Sequence, residues 1–246
     1  MSNLVLGAGG AAEAGYTIDQ SLRFNDGDTP YLSRTLGTPS DQTKYTLSWW
    51  FKAGDITQNC TFLSSKNGGG SGENGGIVRI DGDRKLKINE YDAAGEGWDV
   101  KADAVFRDPS AWQHFIVQFN SNEVTASDRV KYFSNGVELT DKTGTYPSTA
   151  EVSYINAVNG ATMIFGKDQG VVTGDKVVDG CVAEVHFIDG QALDADSFGE
   201  TDSTTNQWKP KEYSGSYGTN GFYQKYAATE LANSFEDSAN HVAHTV

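Results

Sequence analysis

Two acidic residues in one apolar run offer the most direct chemistry in the chain: Glu184 and Asp189, in Glu184-Val-His-Phe-Ile-Asp189. A pair of carboxylates can cleave a glycosidic bond, one as proton donor and one as nucleophile or base. On a strand such a pair must occupy alternate positions to face one side. Here His186 and Ile188 hold the alternate positions after Glu184. In a regular strand Asp189 faces the other way, and it opens a Gly turn. The preferred reading is a solvated or turn-capping pair, and no catalytic residue is assigned. The four histidines are His114, His186, His241 and His244. His241 and His244 have the three-residue spacing of a metal grip on a helix, but their surroundings are polar and carry no helical pattern. No serine sits on a nucleophile elbow.

Oxygen ligands for calcium are the better metal expectation. Asn25-Asp-Gly-Asp28 supplies carboxylates in a loop, with Asp175 and Asp179 expected to approach from across the fold. The proposed ligands are Asp26, Asp28 and Asp179. The same Asn-Asp-Gly-Asp run is also an ordinary turn, so calcium is optional and no other cofactor is required. Sugar rings stack on exposed aromatic faces. Trp98, Tyr91, Trp208 and Tyr217 are the candidates for a glycan platform, with Tyr213 beside them. Trp and Tyr also serve as core or interface anchors.

The elements that must position these groups are strands. Tyr45-Thr-Leu-Ser-Trp-Trp-Phe-Lys52 alternates apolar and polar residues, as a half-buried strand does. It also places Trp49 and Trp50 on opposite faces, so at least one is core. Similar runs recur along the chain. Asp81-Gly-Asp83 and Ser134-Asn-Gly136 between such runs read as hairpin turns. The 28 glycines against 5 prolines suit many short strands joined by tight turns. Gln191 to Phe198 reads as one helical turn capped by Asp194. Trp112, Phe165 and Phe187 are expected to share one interior. The result is an all-β, two-sheet antiparallel jelly-roll sandwich over 19–199. A Gly-rich arm (1–18) precedes it. An aromatic extension (200–246) follows, too aromatic for disorder and expected to pack on the sandwich or on a neighbour.

Acidic residues outnumber basic ones 33 to 19, a net charge of −14. That excludes a nucleic-acid backbone as partner, which needs clustered Lys and Arg. No segment has the roughly 20 apolar residues of a membrane helix. Met1 to Gly10 lacks the basic and apolar regions of a signal peptide, so synthesis in a cytoplasm is expected. Cys60 and Cys181 are each read as a free, buried thiol, with a disulfide between them as the alternative.

The order of these strands carries a family resemblance. The order runs from Ser21-Leu-Arg-Phe24 and Leu47-Ser-Trp-Trp-Phe-Lys52 to Trp112-Gln-His-Phe-Ile-Val117. It continues through Asn135-Gly-Val-Glu-Leu139 and Met163-Ile-Phe-Gly166 to Gly180-Cys-Val-Ala-Glu-Val-His-Phe-Ile-Asp189. It resembles the laminin-G-like, concanavalin A-like jelly roll over roughly Gln20 to Gly190. That fold implies a sandwich of about a dozen strands used for glycans or protein partners.

A narrower resemblance rests on Asp19-Gln-Ser-Leu-Arg-Phe-Asn-Asp-Gly-Asp28, Phe187-Ile-Asp-Gly-Gln-Ala-Leu-Asp194 and Lys211-Glu-Tyr-Ser-Gly-Ser-Tyr-Gly-Thr-Asn-Gly-Phe-Tyr223. These runs look like structural proteins of tailed phages, marine and cyanobacterial ones especially. The resemblance implies a non-enzymatic virion component, a capsid decoration or tail appendage. Its expected partners are other virion proteins and host-surface glycans, with several copies on the particle. The end at Val246 suggests a compact subunit rather than a long fibre. The alternatives are a polysaccharide-degrading glycosidase or a stand-alone lectin on the same fold.

Overall fold

The structure is a computed structural model. It describes residues 15–226 and 237, apart from 56, 68–73, 93–94, 157–159 and 170–175. In chain order the strands are β1 (Leu22–Phe24), β2 (Leu32–Thr35), β3 (Lys44–Ala53), β4 (Cys60–Asn67), β5 (Asn74–Ile80) and β6 (Lys85–Asp92). They continue with β7 (Gly95–Val105), β8 (Gln113–Asn120), β9 (Val130–Ser134), β10 (Val137–Glu138), β11 (Lys142–Thr145) and β12 (Thr162–Phe165). The last are β13 (Gly180–Asp189), β14 (Gly199–Thr201), β15 (Trp208–Pro210) and β16 (Phe222–Gln224).

Sheet 1 has the order β1-β13-β3-β8-β9-β10, with β16 also on β13; sheet 2 has the order β11-β7-β6-β5-β4-β12-β2. The strand pairs are antiparallel throughout. Between the sheets lies an aromatic core, the solution open to strands that are apolar on one face. Trp49 is fully buried, its ring 4.7 Å from Phe62 and 5.6 Å from Phe115. Phe165 and Phe187 share this core, but Trp112 does not: it is 38% exposed. The reason is parity. Phe115, Val117 and Phe119 of β8 point inward, which puts Trp112 and His114 on the outer face.

The two outer faces differ. Sheet 2 presents charges to solvent, with Lys101 on Asp81 (2.8 Å) and Asp83 (3.1 Å), Lys85 on Asp103 (3.1 Å) and Lys87 on Asp99 (3.1 Å). Sheet 1 is covered. After β13 the chain folds back across it, and Ile116, Phe133, Ile188, Ala195 and Phe198 form a second apolar cluster with Leu193, Trp208, Tyr213 and Tyr217. The helical turn is a single 3-10 turn, Ala195–Ser197. Asp194 does not cap it through its side chain; the carboxylate accepts instead from Gln118 Nε2 (3.0 Å).

β13 is central, pairing with β3 on one side and with both β1 and β16 on the other. It begins at Gly180, where φ is +140° and a Cβ would run into the Lys52 carbonyl oxygen. Only glycine fits that approach. Gly180→Ala is expected to cost on the order of 2 kcal/mol, read as a lower urea midpoint at unchanged slope.

The cysteines lie apart in the fold. Cys60 faces the core and its thiol is pushed by burial up to about 12. Cys181 alternates with the core residue Val182 and is only partly buried, on the outer face of sheet 1. Both are free.

Candidate functional site

The pairing of β13 with β3 slips once. Ala183 faces Trp50 and His186 faces Ser48, so three steps on β13 match two on β3. The extra residue is a β-bulge, and Glu184 takes it up at φ +48°. Val182, Val185 and Phe187 thereby all reach the core, while Glu184 and His186 come together outside, 3.6 Å apart. The bulge also falls where β1 ends its pairing at Val182 and β16 begins its own at Val185. Glu184 therefore stands between two strands from opposite ends of the chain.

Both ends donate to it. Tyr16, just ahead of β1, gives its hydroxyl to Oε2 (2.6 Å), and Tyr223 of β16 gives its own to Oε1 and Oε2 (2.8 and 2.7 Å). Burial acts to raise the Glu184 carboxyl, but bonding to His186, Tyr16 and Tyr223 outweighs it and holds the group below its ordinary value. Burial lowers His186 below the ordinary imidazole value, against the pull of Glu184. Its Nδ1 meets Tyr217 Oη at 2.9 Å.

A second chain of polar groups runs alongside. Trp208 Nε1 lies 2.9 Å from His114 Nδ1, and His114 Nε2 lies 2.8 Å from Ser48 Oγ. An indole N–H can only donate. Nδ1 must therefore be bare and Nε2 protonated, with Ser48 accepting. Burial holds His114 at about 3. This histidine cannot serve Ser48 as a base, because its only bare nitrogen is already taken by Trp208.

Between these groups and the N-terminal segment opens a cleft of about 630 Å³. Trp50, Trp112, Ala183 and Pro210 form its apolar lining, and Tyr16 to Ser21 with Lys209 form the rest. One ring face of Trp50 lies against His114, centroids 4.8 Å apart, while Trp112 is exposed. Lys209 is shared between Glu200 (3.1 Å) and Asp202 (3.4 Å).

The sequence-derived aromatics divide. Trp208 and Tyr217 lie on this outer face, bonded to His114 and His186. Tyr91 belongs to sheet 2, its hydroxyl against Gly75. Trp98 is a correction: it is 4% exposed and stacks on Phe119 at 5.7 Å in the core. Its parity with the core residues Val100 and Ala102 was there to read. Trp112, whose parity is that of His114, is the tryptophan exposed on the outer face. Tyr16 carried no such signal, since its role depends on the bulge. That bulge is legible only in the spacing Val182, Val185, Phe187, three and then two.

The calcium ligands do not converge. Asp26–Asp28 form a 3-10 turn in which Asp28 Oδ2 accepts from Asn25 Nδ2 (2.7 Å). Asp179 Oδ2 accepts from the Asp55 backbone N–H (2.6 Å). Among the described residues, no three His, Cys, Asp or Glu side chains group as a metal site. Asp175, His241 and His244 lie outside the described residues. Nor do Glu184 and Asp189 form a free acid pair. The Asp189 carboxylate accepts from the backbone N–H groups of Ser40 (2.8 Å) and Asn220 (3.0 Å) and from Asn156 Nδ2 (2.6 Å).

The strand order defines an antiparallel two-sheet β-sandwich. Residues 25–197 match the laminin G type model of the concanavalin A-like lectin/glucanases superfamily, and the chain belongs to that family. Comparison with curated proteins finds no match. Among solved structures, the SAP-like pentraxin of Limulus polyphemus is similar with a TM-score of 0.44 at 13% identity, over 73% of this chain and 74% of its own. The CBM40 of the Ruminococcus gnavus IT-sialidase, bound to α2,3-sialyllactose, gives 0.45 at 13%, over 68% and 95%. Tailspike protein 2 of the Escherichia coli O157:H7 bacteriophage CAB120 gives 0.46 at 12%, over 72% and 23%. The chain thus spans about a quarter of that tailspike. Among the described residues, no helix is long and apolar enough to cross a membrane.

Proposed function

We propose that this protein is a non-enzymatic glycan-binding subunit of a tailed-phage particle, holding sugar rings against Trp112 in the outer-face cleft. The observation that carries this reading is Trp112 itself. It is a large aromatic, 38% exposed, lining a cleft that also carries the hydroxyl and amide side chains of Thr17, Gln20 and Ser21. An apolar wall with a few convergent polar groups is what a small-ligand site needs. Membership of a lectin/glucanase family supports the ligand class. Binding without catalysis is favoured because both acidic candidates are consumed by the protein: Glu184 by two tyrosines, Asp189 by backbone and amide donors. The phage setting rests on the runs Asp19–Asp28, Phe187–Asp194 and Lys211–Tyr223. On a particle, repeated copies would turn weak contacts into avidity.

Trp112→Ala is expected to leave the fold intact and to weaken glycan binding by roughly a hundredfold, the loss of one stacked ring. Titration against immobilised host-surface polysaccharide checks this; unchanged affinity would remove the cleft from the account. Steady release of reducing ends from the same polysaccharide would make the protein a glycosidase instead. Mass spectrometry of purified particles tests the phage setting. Hundreds of copies would place the protein on the head and a dozen or fewer on the tail, while its absence would leave a stand-alone lectin.

A further inference from the structure

The ligand class at this cleft can be narrowed by the strand register. β1, β13 and β3 set Arg23, Cys181 and Lys52 in one row across sheet 1. On β3, Phe51 is core and Trp50 lies in the cleft, so Lys52 shares the outward parity of Trp50. On β1, Phe24 is core and Leu22 packs against it, so Arg23 points outward too. One step beyond the Phe51–Gln113 pair, Lys52 is followed across the sheet by Trp112. The outer face thus reads Arg23, Cys181, Lys52, Trp112 in one row, and Ala183, Trp50, His114 in the next. Neighbouring strands are about 4.8 Å apart and successive rows on one face about 6.8 Å. Arg23 and Lys52 therefore flank a small partly exposed residue at about 10 Å from each other, beside the exposed tryptophan.

Both cations are available. Neither Arg23 nor Lys52 has an ion pair or side-chain hydrogen bond among the described residues. The cation that lines the cleft itself, Lys209, is already held by Glu200 and Asp202, whereas Arg23 and Lys52 stand in the row beside it. Two carboxylates oppose the pair: Asp19 on the N-terminal wall, which accepts from Thr17 Oγ1 (3.2 Å), and Asp108, which feels the charge of Lys52 but is occupied by Ser110.

Resting on the glycan reading above, we infer that the cleft and the row of side chains beside it together select acidic glycans. A sugar ring stacks on Trp112, and its carboxylate or sulfate lies over Cys181 between Arg23 and Lys52. The small Cys181 side chain leaves the space for that anion, and charge-assisted hydrogen bonds from both sides hold it.

The test is an array of neutral glycans and of glycans carrying carboxylate or sulfate, probed with the intact protein. The best acidic ligand and the best neutral one are then titrated by tryptophan fluorescence against wild type, Arg23→Gln, Lys52→Gln and Trp112→Ala. Circular dichroism confirms that the variants fold. Acidic glycans should dominate the array. Each glutamine variant should lose roughly tenfold in affinity for the acidic ligand and nothing for a neutral one. Salt raised severalfold above about 0.1 M should weaken the acidic ligand alone. Dominance of neutral glycans, or wild-type affinity in both glutamine variants, overturns the inference and leaves the glycan reading standing. Retention of no glycan by the array, with Trp112→Ala indistinguishable from wild type, overturns the glycan reading and this inference with it.

Discussion

His114→Gln should make the protein less stable than wild type at pH 7 and more stable than wild type at pH 4. Burial holds His114 at about 3, against 6.5 for an exposed histidine. The folded state therefore binds this proton more weakly than the unfolded chain. The stability it contributes is complete above about 6.5 and is lost as pH falls towards 3. A shift of this size corresponds to about 5 kcal/mol, a large part of the stability of an ordinary domain. The structure gives the cause. Both ring nitrogens are engaged, Nδ1 by the Trp208 N–H and Nε2 by Ser48. A second proton on the ring would point an N–H at an N–H inside a dry layer. The variant loses the bond from Trp208 and the stacking on Trp50, a cost of about 2 kcal/mol at neutral pH. Stability curves of the two proteins should then cross near about pH 5. Parallel curves in urea titrations from pH 7 to pH 4 would mean that His114 does not control acid stability.

Glu90→Gln should act in the opposite sense. Glu90 follows Leu86 and Ile88 along β6 on the inner face of sheet 2, and it is 1% exposed. Burial pushes its carboxyl up to about 7, against the bonds from Ser153 Oγ and the Ile155 backbone N–H. Gly76 leaves the space it occupies: a Cβ there would lie 3.2 Å from Glu90 Oε1. Because the folded value lies above the unfolded 4.5, the folded state binds the proton more tightly. The stability contributed is complete below about 4.5 and is lost as pH rises through 7, about 3 kcal/mol in all. Glutamine cannot ionise, so the variant should gain up to that amount at pH 8 and nothing at pH 4. Thermal unfolding at the two pH values measures it; an equal effect at both would show that ionisation is not the cause. Between about 4.5 and 6.5 the two groups work against each other, Glu90 adding stability on acidification as His114 removes it. Wild type should change little across that interval on their account, and each variant should uncover the slope of the other group.

The sandwich was largely legible because its signal is local. Alternation in Tyr45–Lys52 fixes both the strand and the split between Trp49 and Trp50. The Asn135-Gly136 turn has φ +47° and +82°, the left-handed pair that a two-residue hairpin requires. The cleft was less legible because its parts meet only through tertiary structure. Tyr16 and Tyr223 reach one carboxylate across the whole length of the chain. In the sequence the aromatic character of Trp112 points to the interior and the position of Trp98 to the surface, whereas strand parity places each the other way. β14 and β15, which pair with each other apart from the two large sheets, and β16, which extends sheet 1, are three residues each, too short to show a period, so this part of the chain shows only its aromatic content in the sequence.

The shared edge of β13 also sets an order of events during synthesis. Leu22 and Phe222 both pair onto that strand, at Val182 and Phe187. A nascent chain can assemble sheet 2 early, since β4, β5, β6 and β7 follow one another and pair as neighbours. The opposite layer is completed late: β3 can pair with β8 beforehand, but β1 gains its partner and β3 its second one only when β13 emerges, and the end of β13 from Val185 to Phe187 stays open on its other edge until β16 leaves the ribosome. Pairings this distant in sequence slow folding, and an open strand edge invites another chain to fill it. Translation of this protein thus passes through an interval in which a half-finished sandwich, rather than the mature molecule, is the species most prone to aggregate.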